Sequence, residues 1–346
     1  MADAIYAPSQ FRLAIAPQAD FATENTTQGE FYELDITSPT QPDMASGIIE
    51  DSRKRSDGKR VMSPTDTYRA TTGGTYVIPF ECIATGATLD LLLKSAIQDF
   101  VSEEATTPYQ KVFNLDDGTT GPDFSADAGI MLTVLGADAE NWSARNCIVR
   151  NLTLSASPGT NGGRLTASGE FMTGFDIDIS SVTATTASWQ SPGDIAGQVA
   201  YFPFQSYANC SVAAANLVPY SFSITMANGA VRVGNAAGLA TNYHMPLFTA
   251  DCEIVAKLDA ITDDLIDTYR TNPAAGSAEV AVIMDWGTDD TDGHLKFLLN
   301  AIYTGPTTRD FGAESGVGVT LSYSGVDDGT NKALVATIAN AIDRSW

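Results

Sequence analysis

Only two histidines, His244 and His294, occur in the 346 residues, and they limit the acid–base chemistry this chain can perform. A nucleophile–His–acid centre needs an imidazole beside an exposed hydroxyl or thiol, and no Gly-x-Ser-x-Gly turn is present to display one. His294 follows the Asp292-Gly293 dipeptide and is expected as a solvated hairpin residue, while His244 is expected where a strand starts. The cysteines, Cys82, Cys147, Cys210 and Cys252, are scattered without a Cys-x-x-Cys pair, so four reduced, mostly buried thiols are expected rather than a zinc site. The acidic run Thr288–His294, "TDDTDGH", fails as a calcium loop: Thr288 stands where the first Asp belongs and Leu299 where the closing Glu belongs. It reads as a solvated hairpin tip, as do "LDDGTTGPD" and "VDDG". "TTGG" at Thr71–Gly74 lacks the Lys-Ser/Thr of a phosphate loop. No catalytic, metal-binding or cofactor-binding residue is expected, and the chain is read as a non-enzyme.

One local anomaly remains. The chain carries a formal net charge of -23, yet Arg53, Lys54, Arg55, Lys59 and Arg60 fall together in "GIIEDSRKRSDGKRV". Glu50, Asp51 and Asp57 interrupt the basic run and no aromatics interleave for base stacking, which argues against a nucleic-acid patch. A solvated loop of mixed charge is the plain alternative. The other is docking onto a copy of the same chain, because a strongly acidic protein self-repels and ordered association needs compensating positive spots. A basic loop meeting the acidic surface of the next copy head-to-tail gives the open geometry that builds filaments.

The elements that must position these residues are mostly strands. Hydrophobic content of 44% supports packed cores, and no apolar stretch is long enough for a membrane-spanning helix. Residues 1–30 hold no basic region followed by an apolar run, so no secretory leader is expected. Period-two alternation marks Tyr32/Leu34/Ile36, Ile130/Leu132/Val134, Tyr220/Phe222/Ile224/Met226 and Val280/Val282/Met284/Trp286 as strands. The dipeptides Asp117-Gly118, Asn161-Gly162, Asn228-Gly229, Asp292-Gly293 and Asp328-Gly329 punctuate them as turns. Two helices are predicted. One carries Leu89, Leu92, Leu93, Ala96, Ile97 and Phe100 on one stripe with Thr88 as N-cap; the other carries Leu258, Ile261, Leu265 and Tyr269 and ends at Asn272-Pro273.

These elements repeat. "EFYELDIT" and "VPYSFSIT" open the two copies. "YVIPFECIATGATLDLLLKSAIQDF" and "HMPLFTADCEIVAKLDAITDDLIDTYR" then match as strand and helix, with Cys82 and Cys252 in comparable positions. "AGIMLTVLG" and "AEVAVIMDWG", then "NCIVRNLTLSASPG" and "LKFLLNAIYTGPT", then "GGRLTASGEFMTG" and "SGVGVTLSYSGVDDG" continue the correspondence. The expected fold is mainly β: two similar β-domains in tandem, with one α-helix in each. The first covers 1–183 with an N-terminal arm and the basic loop, 184–212 is a linker or arm, and the second covers 213–346.

With these features in hand, the chain resembles the tail tube (major tail) proteins of long-tailed bacteriophages, in a duplicated-domain form. "FRLAIAPQADFAT" (Phe11–Thr23) is similar to the family's opening motif, with Ala22 where Gly is usual. "IIEDSRKRSDGKRV", "GGTYVIPFECIATGATLDLLLKSAIQDF" and "RDFGAESGVGV" followed by "TLSYSG" resemble its later segments in the same order. The resemblance implies two tandem β-sandwich or barrel-like domains, each flanked by one α-helix, in a virion structural protein, assembled in the host cytoplasm, whose domains ring a channel six at a time. Three two-domain chains then make a pseudo-hexameric ring, and rings stack into a tube for DNA ejection. Implied partners are the chain itself and other tail proteins such as the tape measure and terminator; DNA is cargo only, and no membrane is involved. Arg53, Lys54, Arg55, Lys59 and Arg60 become expected inter-ring contacts, in the first half only, since "VRVGNAAGLATNYH" keeps a single Arg232. The rival reading is a tandem β-sandwich adhesin or carbohydrate-binding surface protein, for which Trp142, Trp189, Trp286 and Trp346 are too dispersed in sequence to mark a platform unless the fold gathers them. A hydrolase of unfamiliar type ranks last.

Overall fold

A computed structural model describes residues 12–18, 25, 30–37, 48–50, 67–69, 76–115, 129–135, 142–173, 190, 207–234, 240–244, 248–271, 278–288, 291–305, 308–310 and 317–344. The first half runs β1 (Arg12–Gln18), β2 (Tyr32–Ile36), β3 (Ile48–Glu50), β4 (Thr67–Arg69), β5 (Tyr76–Ile83), α1 (Gly86–Ile97), β6 (Gln98–Glu103), β7 (Tyr109–Leu115), β8 (Gly129–Leu135), β9 (Trp142–Ala156) and β10 (Thr166–Thr173). The second half runs β11 (Tyr207–Val212), β12 (Ala215–Asn216), β13 (Pro219–Ala227), β14 (Val231–Gly234), β15 (Ala240–His244), β16 (Thr249–Lys257) and α2 (Ala260–Thr271). It closes with β17 (Val280–Trp286), β18 (Leu295–Tyr303), β19 (Thr308–Asp310), β20 (Gly318–Gly325) and β21 (Leu334–Asn340). The fold is mainly β, with a large antiparallel sheet, as its alternating apolar pattern requires.

Strand neighbours follow the same order in both halves. The first is β2–β5–β10–β9–β8–β1, and β1 returns to pair with β2, closing the circuit. The second is β13–β16–β20–β18–β17–β11. Register agrees too. Ile36 faces Cys82 across β2–β5, and Ile224 faces Cys252 across β13–β16, so "YELDIT" and "YSFSIT" align without a shift. A two-stranded hairpin sits at the same place in each half, β3–β4 between β2 and β5 and β14–β15 between β13 and β16. β11 lies at the end of the stretch expected as linker, and it pairs with β17.

The halves are not separate bodies. β9 pairs with β13, and β7 with β21, so strands of one half continue into the other on two sides. Across the first junction a buried row runs Cys82–Ala167–Leu154–Ile224–Cys252–Tyr323, one residue per strand from β5 to β20. All four cysteines are buried and none is disulfide-bonded. Burial pushes the Cys210 thiol up to about 12, and Cys82 and Cys252 higher still, which leaves them unreactive. Gly169 fits on β10 because a Cβ there would stand 2.0 Å from the Asn151 carbonyl oxygen of β9.

The helices depart from expectation in detail. The α1 N-terminus is set by Thr85, not Thr88: its carbonyl accepts the amides of Thr88 and Leu89, and the two hydroxyls lie 2.9 Å apart. Phe100 is not helical. The chain passes at Gln98 into β6, where pairing with β7 supplies the backbone bonds, and Phe100 packs on Phe113 with centroids 5.6 Å apart. In α2, Ile261 is 43% exposed, and the covered face instead carries Thr262 and Ile266 with Leu265 and Tyr269. The reason is the cap: Asp259 accepts the amides of Ile261 and Thr262 at 3.1 Å while Thr262 Oγ1 accepts the Asp259 amide at 2.8 Å, fixing Thr262 inward.

Candidate functional site

The face opposite the buried row is polar across both halves. Glu81, Ser168, Thr153, Thr225, Asp251 and Ser324 are consecutive cross-strand partners from β5 to β20. A parallel row runs Thr166, Ser155, Ser223, Glu253 and Ser322, and a third includes Glu170, Asn151, Ala227 and Thr249. Because side chains alternate across a strand, the same strands that line the core with Leu152, Leu154, Ile224 and Ile254 turn these residues to the opposite face, where Thr166 is covered and the others are partly or fully open to solvent. Short side chains dominate: Thr153 and Thr225 touch through their hydroxyls at 3.0 Å over the junction. Four carboxylates, Glu81, Glu170, Asp251 and Glu253, and no Lys or Arg stand in the three rows, so this part of the face is acidic, with Lys257 on the same face at the end of β16.

The five basic residues expected as contacts, Arg53, Lys54, Arg55, Lys59 and Arg60, lie outside the described residues. Their place in the chain is nonetheless defined, since residues 51–66 connect β3 to β4, where Ile48 pairs with Arg69 and Glu50 with Thr67. That connection holds five basic and three acidic residues; its counterpart between β14 and β15, residues 235–239, holds no charge. Of the N-terminal motif, Arg12 on β1 forks onto Glu33 of β2 at 2.7 and 2.5 Å, tying the two strands that close the first circuit.

Residues that could do chemistry are otherwise inside. His294 is 0% exposed rather than solvated, because its turn is covered by the end of β21: the Ala339 amide donates to the His294 carbonyl and Gly293 donates to Ala339. Its Nε2 lies 3.0 Å from Asp285 Oδ1, and no solvent-borne substrate can reach it. Trp286 is also buried, edge-on to Phe222 and Phe297, so it belongs to the core and not to a binding platform. Asp328 does act as a hairpin tip: it accepts the amides of Thr330 and Asn331, and these bonds, the Asn331 amide first, hold its carboxyl below the usual range. Among the described residues no group of three or more His, Cys, Asp or Glu is placed to hold a metal ion.

Sequence reasoning missed a buried polar cluster. Asp90 of α1 and Lys111 of β7 are both 0% exposed and their charged atoms are 3.1 Å apart. Arg344, near the C-terminus, forks onto Asp90 at 3.0 Å through Nε and a terminal nitrogen, bonds the Ala87 carbonyl, and lies over the Tyr32 ring at 4.0 Å. Asn340 on β21 bonds the Gly86 carbonyl, Asp90 and Lys111, and Glu103 accepts the Arg344 amide. Burial by itself raises the Asp90 carboxyl; the fields of Arg344 and Lys111, with bonds from Arg344 and Asn340, outweigh it and hold the group ionised, below the ordinary range. The only advance signal was Asp90 standing inside an otherwise apolar helical run. No protein-family model matches the chain, and no curated protein matches it either.

Proposed function

We propose that this chain is the structural subunit of a phage tail tube, polymerising as stacked rings around a channel through which DNA passes. The observation that carries the reading is the acidic, Ser/Thr-rich face spread over six neighbouring strands of both halves. A channel for DNA must not bind it, since each neutralised phosphate releases counterions and favours sticking. Glu81, Glu170, Asp251 and Glu253, with no base among them, repel the backbone and suit the lumen wall. The repeated strand order favours rings of three chains, each counting as two domains, because equivalent halves present equivalent surfaces. In this reading the 51–66 connection, through Arg53, Lys54, Arg55, Lys59 and Arg60, contacts the acidic surface of the next ring, and the neutral 235–239 connection does not. The tape measure and terminator are further partners, and the finished tube is part of the virion tail. Electron microscopy of concentrated purified protein tests the proposal: hollow tubes or rings support it. Persistent monomers would instead favour a surface-binding protein, although no exposed aromatic platform among the described residues supports that rival.

A further inference from the structure

Lys111 and Asn340 lie on neighbouring antiparallel strands, with Tyr109 opposite Asn340 and Lys111 opposite Ile338. Lys111 Nζ is 2.7 Å from Asn340 Oδ1, and both residues are sealed from solvent. We propose that the Lys111 amine attacks the Asn340 side-chain carbonyl carbon and forms an intramolecular isopeptide bond, with Asp90 moving the protons.

Each requirement of acyl transfer has a group in place. The nucleophile is held against its acceptor, which replaces a bimolecular encounter by a fixed geometry. Asn340 Oδ1 accepts a second bond, from the Ile342 amide at 3.0 Å, a donor aimed where negative charge develops. The leaving nitrogen, Asn340 Nδ2, is 3.2 Å from Asp90 Oδ2, and that same oxygen is 3.1 Å from Lys111 Nζ. One carboxylate therefore touches both the atom that must lose a proton and the atom that must gain one. Lys111 gives a proton to Asp90, and the free amine adds to Cγ. Its second proton passes to Nδ2, the Cγ–Nδ2 bond breaks, and ammonia leaves and takes the proton held by Asp90. A lysine ammonium and a carboxamide become a secondary amide and an ammonium ion, with no oxidant or co-reactant. Burial keeps out water, the competing nucleophile.

Arg344 explains how the product stays stable. The reaction removes the Lys111 charge, and a buried carboxylate stripped of its cation is costly. The two-bond contact of Arg344 with Asp90 remains after Lys111 is neutralised. The bond joins residues 229 apart in sequence and welds the last strand of the chain to the first half. It acts as a disulfide does, by restricting the unfolded chain, and needs no oxidising compartment.

The test is mass spectrometry of the purified full chain and needs no assumption about tubes. The intact mass is expected about 17 Da below the sequence mass, the loss of one ammonia in acyl transfer. Trypsin is expected to leave Lys111 uncut and to release a branched peptide joining Ser95–Arg145 to Ala333–Arg344. A linear peptide ending at Lys111 in the folded protein overturns the proposal. So does the same mass loss with only linear peptides, which would point to ring closure at Asn161-Gly162 or Asn228-Gly229. Asp90→Asn, checked for folding by circular dichroism, is expected to abolish the branched peptide, and a branch at wild-type yield removes Asp90 from the chemistry. Lys111→Arg should give the full sequence mass. Should either variant fail to fold, the wild-type digest alone decides.

Discussion

The two helices occupy the same position in the repeat and live in different surroundings. α1 is buried on all sides, with only Lys94 escaping among its twelve residues; it packs on β1, β2, β6, β7, β8 and β9 of its own half and on β13 and β21 of the other. In α2 only Thr262 and Ile266 are buried. The difference follows from where the halves join. The β7–β21 and β9–β13 pairings close around α1, whereas α2 lies against its own half with an outer face in water. Composition obeys: α1 reads "GATLDLLLKSAI", and α2 reads "AITDDLIDTYRT". A helix enclosed on all sides must lack charges or hold partners for them, and Asp90 pairs with Arg344 and Lys111.

The comparison can be broken by substitution. Asp90→Ala strands two buried cations and is expected to cost about 3–5 kcal/mol in urea unfolding, the largest of the effects expected here. A loss below about 1 kcal/mol would show that the cluster is solvated and α1 is not the enclosed helix described. Leu92→Ala in α1 is expected to cost about 2–5 kcal/mol by the cavity it leaves. Asp259→Ala removes the α2 cap and is expected to cost about 1 kcal/mol, with loss confined to that half in amide exchange. Ile261→Ala, at an exposed α2 position, should stay within about 0.5 kcal/mol of wild type; a larger loss would mean that a surface covers α2.

Acid sharpens the contrast. The folded Asp90 carboxyl is depressed, so its contribution is present above the unfolded carboxylate range and is lost as pH falls through its lower folded value. Acid unfolding is therefore expected to loosen the α1–C-terminal contact cooperatively, and Asp90→Asn should flatten that part of the pH–stability curve. At the assembly level, changing Arg53, Lys54 and Arg55 to Glu should abolish or shorten tubes and alter their salt sensitivity, if the basic connection docks rings. Tubes of normal length and salt response would remove those residues from the contact.

Much of the architecture was legible because it is periodic. Alternation in "YELDIT" and "YSFSIT" marked equivalent strands, and hydrogen-bond register places Ile36 and Ile224 opposite Cys82 and Cys252 as the repeat requires. Turn chemistry was local enough to read as well: Gly229, Gly293 and Gly329 all take positive φ. Side-chain surroundings were not legible. His294 looked solvated because its own turn is polar, and only β21, over forty residues later, buries it. Ile261 looked buried because apolar spacing cannot tell which of two adjacent stripes a cap will turn inward.

By itself the sequence determined the strands, the two helices, the duplication and the acidic surface, since each depends on residues close together in the chain. Tertiary structure alone decided that the halves share sheets, that α1 is enclosed, and that Asp90, Lys111, Asn340 and Arg344 meet. Those contacts span more than two hundred residues, and no local pattern carries information about which distant strand will arrive to neutralise a buried charge.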